Sequence, residues 1–152
     1  MFNGHKQNTN YGSMLIKSNS SYICEWHFEC ICSYGVGDVC IGISSQPFDA
    51  NKYFHTFPYN KRERHFGYGY VSNGNYKQSD DKWNWSGKRF QTGDKICLLL
   101  NLKTRELCLL INEKSNECPM EIEVGDDINY RLAVILFGTS EVKLTKFEQY
   151  ED

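Results

Sequence analysis

The chain has 152 residues, enough for one domain with its own core, because a single core of about 100 to 200 residues is the usual folding unit. Its 17 Lys and Arg against 19 Asp and Glu leave a formal charge of -2, so no global field draws it to nucleic acid or an anionic membrane. No run approaches the roughly 18 apolar residues of a membrane span, and the polar opening FNGHKQNTNYGS lacks the apolar core of a signal peptide, so a soluble protein of the reducing cytoplasm is expected.

From Tyr22 to Cys32 the even positions Tyr22, Cys24, Trp26, Phe28, Cys30 and Cys32 are apolar or aromatic, while Glu25, His27 and Glu29 take the other parity. A period of two marks a half-buried strand, because successive side chains point to opposite faces. Val39, Ile41 and Ile43 continue the pattern after a Gly37-Asp38 turn. Residues 46–65 then run without a regular period and hold Phe48, Tyr53, Phe54, Phe57 and Tyr59. So long a loop in a compact domain usually has a function, and its composition suits either a recognition surface or a satellite cluster tucked beneath it.

In KWNWSGKRFQTGD (82–94), Trp83 and Trp85 share one face if the segment is extended and are read as covering a sheet, with Trp85 the more exposed. Phe90-x-x-Gly93-Asp94 reads as an anchor and turn that launches the next strand. KICLLLNL (95–102) and RELCLLIN (105–112) flank Lys103-Thr104 and predict a hairpin with a two-residue connection. Their nearly continuous apolar character predicts central strands covered on both faces. RLAVILF (131–137) and EVKLTKF (141–147) predict a second hairpin around Gly138-Thr139-Ser140. No segment offers ten residues of helical period, so the chain is predicted to be an all-β sandwich or barrel.

The seven cysteines lack CxxC spacing and mostly sit in apolar runs, which predicts buried free thiols. Zinc needs soft ligands in close-spaced pairs, and neither Cys30-x-Cys32 nor the four histidines supply that spacing, so no metal is expected. Gly42-Ile43-Ser44-Ser45-Gln46 lacks the closing glycine of a nucleophile elbow, and no helix follows Gly67-x-Gly69. Asp80-Asp81 reads as a solvated pair, so neither an enzyme nor a cofactor is expected. Lys61, Arg62, Arg64, His65, Lys82, Lys88 and Arg89 lie among aromatics, the combination used by single-strand binders. Glu63, Asp80 and Asp81 interrupt them, which favours a solvated loop and no nucleic-acid partner.

Taken in order, CEWHFEC (24–30), VCIGISS (39–45), FGYGYVSNGNYKQS (66–79), RFQTGDKICLLLNLKTRELCLLIN (89–112) and YRLAVILFGTSEVKLTKF (130–147) resemble the motif series of a SPRY domain, over about residues 13–147. The resemblance implies a two-sheet antiparallel β-sandwich of concanavalin-like jelly-roll architecture. It would form one domain over 1–152, with a short polar N-terminal segment and an acidic C-terminal tail. The family's Asn-Gly turn is replaced by Asn112-Glu113, and a later glycine by residues around Glu117-Cys118-Pro119, so a longer and differently shaped connection is expected there.

The resemblance further implies a non-enzymatic protein-protein interaction module, expected to be a monomer, that captures a short polar or acidic peptide of a partner protein on preformed loops. Substrate recognition as an adaptor in ubiquitin ligation is one expected use. Carried over by position, the peptide-binding residues are Ser45, Tyr53, Phe57, Tyr59, Leu136, Phe137 and Gly138. Aromatics would supply buried area and the Ser45 hydroxyl would fix peptide orientation. Alternatively, Phe137 ends an inward-facing row with Ala133 and Ile135. A lectin-like module is the competing function, with Trp83, Trp85 and tyrosines stacking on sugars. Sugar sites favour an aromatic flanked by Asn, Asp and Arg on a concave sheet face, whereas peptide sites favour the loop end. Self-association through an exposed Ile23/Ile31 face or an unpaired terminal strand is the third reading.

Overall fold

The computed structural model describes residues 2–3, 8–46, 48, 60–79, 82–84, 87–116 and 118–151, which form two antiparallel sheets and no helix. Sheet A runs β1 (Phe2–Asn3), β14 (Glu141–Tyr150), β4 (Ile23–Cys32), β9 (Lys95–Asn101), β10 (Glu106–Ile111) and β11 (Lys114–Ser115), with β12 (Met120–Glu121) also on β10. Sheet B runs β2 (Asn8–Tyr11), β13 (Asn129–Leu136), β5 (Val39–Ser45), β6 (Gly67–Val71), β7 (Tyr76–Ser79) and β8 (Lys82–Asn84), with β3 (Ile16–Lys17) beside β13. The sheets face each other across one apolar cluster, so the architecture is the expected β-sandwich and not a closed barrel.

The even residues of β4 supply sheet A's share of that cluster. Cys24, Trp26, Phe28 and Cys30 are buried, while Tyr22 and Cys32 at the strand's ends are partly covered. Trp26 pairs across the strands with Leu98, and its ring lies 5.3 Å from that of Phe147. From sheet B come Ile41, Ile43, Tyr68, Tyr70, Tyr130, Leu132, Val134 and Leu136. The buried tyrosines keep their hydroxyls satisfied, as groups out of reach of water must. Tyr70 Oη lies 2.6 Å from the Cys118 carbonyl and 2.9 Å from that of Leu107 on the opposite sheet. Burial raises the pKa of this phenol, which therefore stays a donor. Tyr130 donates to the Glu123 carbonyl at 2.7 Å, and the Glu123 N–H donates to Tyr68 Oη at 2.9 Å. At the middle of sheet B, Gly42 faces Gly69, and a Cβ on Gly42 would lie 1.8 Å from the Tyr68 carbonyl oxygen, so only glycine allows this approach.

Four sequence expectations need correction. RLAVILF and EVKLTKF are not a hairpin: β13 pairs with β5 in sheet B and β14 with β4 in sheet A, so the short turn at 137–140 is a corner between sheets. Alternation reports which way side chains point and is silent about which strand lies alongside. The β9–β10 hairpin exists, but its connection has four residues, with Asn101 opposite Glu106. Asn101 Oδ1 accepts from the Lys103 and Thr104 N–H groups, an Asx-type turn, and Leu102 is buried in the core beyond the strand.

The third correction concerns coverage, because β9 and β10 are buried on one face only. Cys97, Leu99, Cys108 and Leu110 form a half-exposed outer face. The fourth concerns the connection after β10, which is shorter than expected. Ile111 pairs with Lys114, and Asn112 and Glu113 both have positive φ (51° and 69°), the two-residue type I′ geometry. Asn112 suits its position because its amide accepts from Lys95 N–H and donates to Asp94. For the third functional reading, Ile23 is buried at 6%, so it shares no exposed face with Ile31.

A left-handed conformation costs a residue with a Cβ about 1 kcal/mol relative to glycine. Glu113→Gly should therefore raise the thermal midpoint by about 2–4 °C; a midpoint that is unchanged or lower in a melting scan would refute this account of the turn. Trp26→Ala should cost about 3–5 kcal/mol, most of a typical total of about 5–15, and urea denaturation would show the loss.

Candidate functional site

The β5–β13 ladder decides how the expected binding residues lie relative to one another. Ser45 pairs with Tyr130 at one end and Leu136 pairs with Val39 at the other. Seven residues, from Tyr130 to Phe137, at about 3.3 Å each put about 23 Å between Ser45 and Phe137, so these two do not form one contact surface. The Ser45 side chain is fully buried, and its Oγ accepts from the Phe66 N–H at 2.8 Å, which fixes the chain where it re-enters the sheet. Leu136 is likewise fully buried in the core. Phe137 is half-exposed on the opposite, outer side of sheet B, against Cys40, Ala133 and Ile135. The row with Ala133 and Ile135 is thus real but faces away from the main core. Gly138 is exposed, with φ 62°, and Tyr53, Phe57, Tyr59 and Trp85 lie outside the described residues.

Around Phe137 a different set of residues comes together. The 33–38 loop joins β4 to β5 and is held by Asp38. One carboxylate oxygen accepts from Ser33 Oγ at 2.8 Å and from Ser72 Oγ at 2.9 Å, and the other accepts from the Tyr34 N–H at 3.0 Å. Ser72 Oγ in turn accepts from the N–H of Gly37, at 3.0 Å. The Asp38 carbonyl receives the Phe137 N–H at 2.9 Å and Ser140 Oγ at 3.0 Å, which brings the 137–140 corner alongside. Thr92 closes the other side, because its Oγ1 accepts from the Ser33 N–H at 2.8 Å.

On this fixed loop Tyr34 and Val36 are 69% and 70% exposed, the most open large apolar side chains among the described residues. Sequence reasoning missed both. The clue in SYGVGD was that Tyr34 and Val36 keep the even parity of the inward face, yet they follow the strand's end at Cys32 and are interleaved with Gly35 and Gly37, whose positive φ (69° and 97°) takes the chain out of extended geometry.

The outer face of sheet A carries a second feature, a cleft of about 560 Å³ lined by Glu25, His27, Cys97, Leu99, Leu110 and Tyr150 among others. His27 sits directly across from Cys97, and Glu25 is two residues along the same face. His27 Nε2 is 3.2 Å from Glu25 Oε1 and 3.8 Å from Cys97 Sγ, which is 3.9 Å from Glu25 Oε1. Burial and the neighbouring Glu25 carboxylate push the Cys97 thiol up to about 12, so it is protonated at neutral pH and is no nucleophile. Among the described residues, the cleft lining includes no Asn, Asp or Arg. In the basic loop, Arg64 is engaged by Asp127 through two contacts of 2.7 and 2.8 Å.

No protein-family model matches this sequence, and no match was found among curated proteins. Solved structures do match. The SPRY domain of human HERC1 superposes with a TM-score of 0.63 at 16% identity, covering 94% of this chain and 84% of that one. A human SPRY domain gives 0.62 at 16% identity, with 94% and 86% covered. The fold is SPRY-like. The same SPRY-like sandwich is also similar to the carbohydrate recognition domain of Emp46p in a potassium-bound form, with a TM-score of 0.62 at 9% identity over 97% of this chain and 80% of that one. At such identities the likeness is one of fold.

The Asp38 network yields a direct expectation. Hydrogen bonds to a charged group contribute about 1.5–3 kcal/mol, so Asp38→Ala should lose about that much stability in urea unfolding. The Tyr34 and Gly37 amides should also exchange faster than in the parent; unchanged exchange at both would show that the loop does not depend on the carboxylate.

Proposed function

We propose that this protein is a non-enzymatic interaction module that captures a short, extended segment of a partner protein at the sandwich end formed by the 33–38 loop and the 137–140 corner. The observation that supports it most is the exposure of Tyr34 and Val36, at 69% and 70%, on a loop already hydrogen-bonded in place. A ligand covering them gains apolar burial without the cost of ordering the loop. Phe137 and Gly138 adjoin through the Asp38 carbonyl and add an aromatic surface and open backbone.

Arg89 is exposed one residue before Phe90, whose N–H donates to the Ser72 carbonyl, so a cation stands at the same end and favours a polar or acidic segment. Leu136 supports this end from behind, as the buried last residue of the strand that precedes Phe137, whereas Ser45 anchors residue 66 at the other end of the ladder and contributes only to the scaffold. Tyr53, Phe57 and Tyr59 are retained as further candidate contacts because of the aromatic composition of the 46–65 segment. Substrate reading in ubiquitin ligation, by a monomer, is the setting we propose; its support is the SPRY-like fold.

Carbohydrate binding is the second reading, favoured by the likeness to the Emp46p domain. The sheet A cleft offers it little, since among the described residues no Asn, Asp or Arg lines it to hold sugar hydroxyls beside an aromatic.

Selection from a random peptide library, followed by titration of the best peptide, tests the choice. Tyr34→Ala and Phe137→Ala should each weaken binding by about tenfold or more, the loss expected at the centre of a binding surface, while melting within a few degrees of the parent. Two folded variants that bind normally would remove this surface from consideration, and glycan-array hits with no peptide selected would favour the lectin reading.

A further inference from the structure

We infer that Glu25, His27 and Cys97 are the three protein ligands of a zinc-type divalent ion site on the outer face of sheet A, with the fourth coordination position open to the cleft. The three donor atoms differ in kind, a carboxylate oxygen, an imidazole nitrogen and a sulfur, which is the mixed set that zinc accepts. Tetrahedral coordination with bonds of about 2.0–2.3 Å requires the ligand atoms to lie about 3.3–3.6 Å apart. The observed separations are 3.2, 3.8 and 3.9 Å, so adjustments of about 0.3 Å complete the site.

The backbone holds this geometry rigidly. His27 and Cys97 are a direct cross-strand pair in the centre of sheet A, and Glu25 follows on the same face of β4, so none of the three depends on a loop. Tyr150 donates its hydroxyl to Glu25 Oε2 at 2.5 Å, which orients the carboxylate and leaves Oε1 to face the ion. The Glu25 side chain is 21% exposed and that of His27 34%, so the site is partly shielded yet can be reached from solvent.

Charge also balances. A carboxylate and a thiolate neutralise a divalent ion, and the imidazole contributes a lone pair from Nε2 while its proton resides on Nδ1. Binding converts the Cys97 thiol to thiolate and releases one proton to solvent. The other charged or titratable groups near the site are Glu29, Lys95 and Glu113 in the cleft wall, Cys108 on β10, and Glu148 on β14, which Lys146 pairs at 2.7 Å. With three protein ligands, the ion keeps one position for water or for a donor from a docking molecule.

Cobalt(II) is the probe, because a cobalt-thiolate bond absorbs in the near ultraviolet and a cobalt-oxygen contact does not. Titration of the full chain should give this band at one equivalent, with loss of the band on adding zinc. The band should disappear in Cys97→Ser and persist in Cys108→Ser. Apparent affinity should fall by about 10–100-fold in Tyr150→Phe, where the ligand is kept and its orientation is lost. As a check that needs no variant, zinc added to the weakly buffered full chain should release about one proton per chain, read with a pH indicator. Absence of a stoichiometric band in the folded parent, a band that survives in Cys97→Ser, or zinc binding without proton release would overturn the assignment.

Discussion

The Asp38 side chain and carbonyl tie together two of the places where the chain passes between sheets, β4 to β5 and β13 to β14. Leaving β4 of sheet A, the chain reaches β5 of sheet B through a loop fastened to its carboxylate. Returning from β13 to β14, it turns a corner fastened to its carbonyl. Ser72 adds the end of β6 and Thr92 the approach to β9, so segments from both layers converge within one hydrogen-bonded knot. A sandwich has no backbone hydrogen bonds between its sheets. Its ends are closed by the connecting loops, here through side-chain and loop-backbone hydrogen bonds together, and that closure also fixes what the end displays.

Sequence reasoning succeeded where local chemistry decides. Strand β4 was legible because six alternating apolar residues leave little freedom about which face is buried. The Phe90-x-x-Gly93-Asp94 turn was legible because Gly93 has φ 91° and Asp94 accepts the Gln91 N–H, both of which depend on residue type. It failed where partners are distant. Nothing in EVKLTKF states that its neighbour is β4 and not the segment just before it. Motif position placed Ser45 and Phe137 in one site, yet only the antiparallel register reveals that they occupy opposite ends of a ladder. Spacing rules missed the Glu25, His27 and Cys97 cluster for the same reason, since Cys97 is 70 residues from His27 and meets it only through strand pairing.

The two features occupy separate parts of the molecule and differ in kind. The loop end presents exposed apolar side chains on a fixed scaffold, suited to contact area and shape. The outer face of sheet A presents donor atoms on paired strands, suited to coordination. The half-exposed floor of Leu99 and Leu110 explains why β9 and β10 read as almost uniformly apolar: an outward-facing cleft needs hydrophobic walls as the interior does.

The Tyr70 hydroxyl has a mechanical consequence. Rooted in sheet B, its single O–H is shared between the carbonyls of Leu107 in sheet A and of Cys118 in the connection beyond, so sliding one layer past the other would strip a buried donor of its acceptors. Shear, the sliding of packed elements seen in some ligand responses, is thereby opposed. On the proposed reading, such a body would meet its partner as a template, and the loss of conformational freedom on binding would fall on the partner's chain.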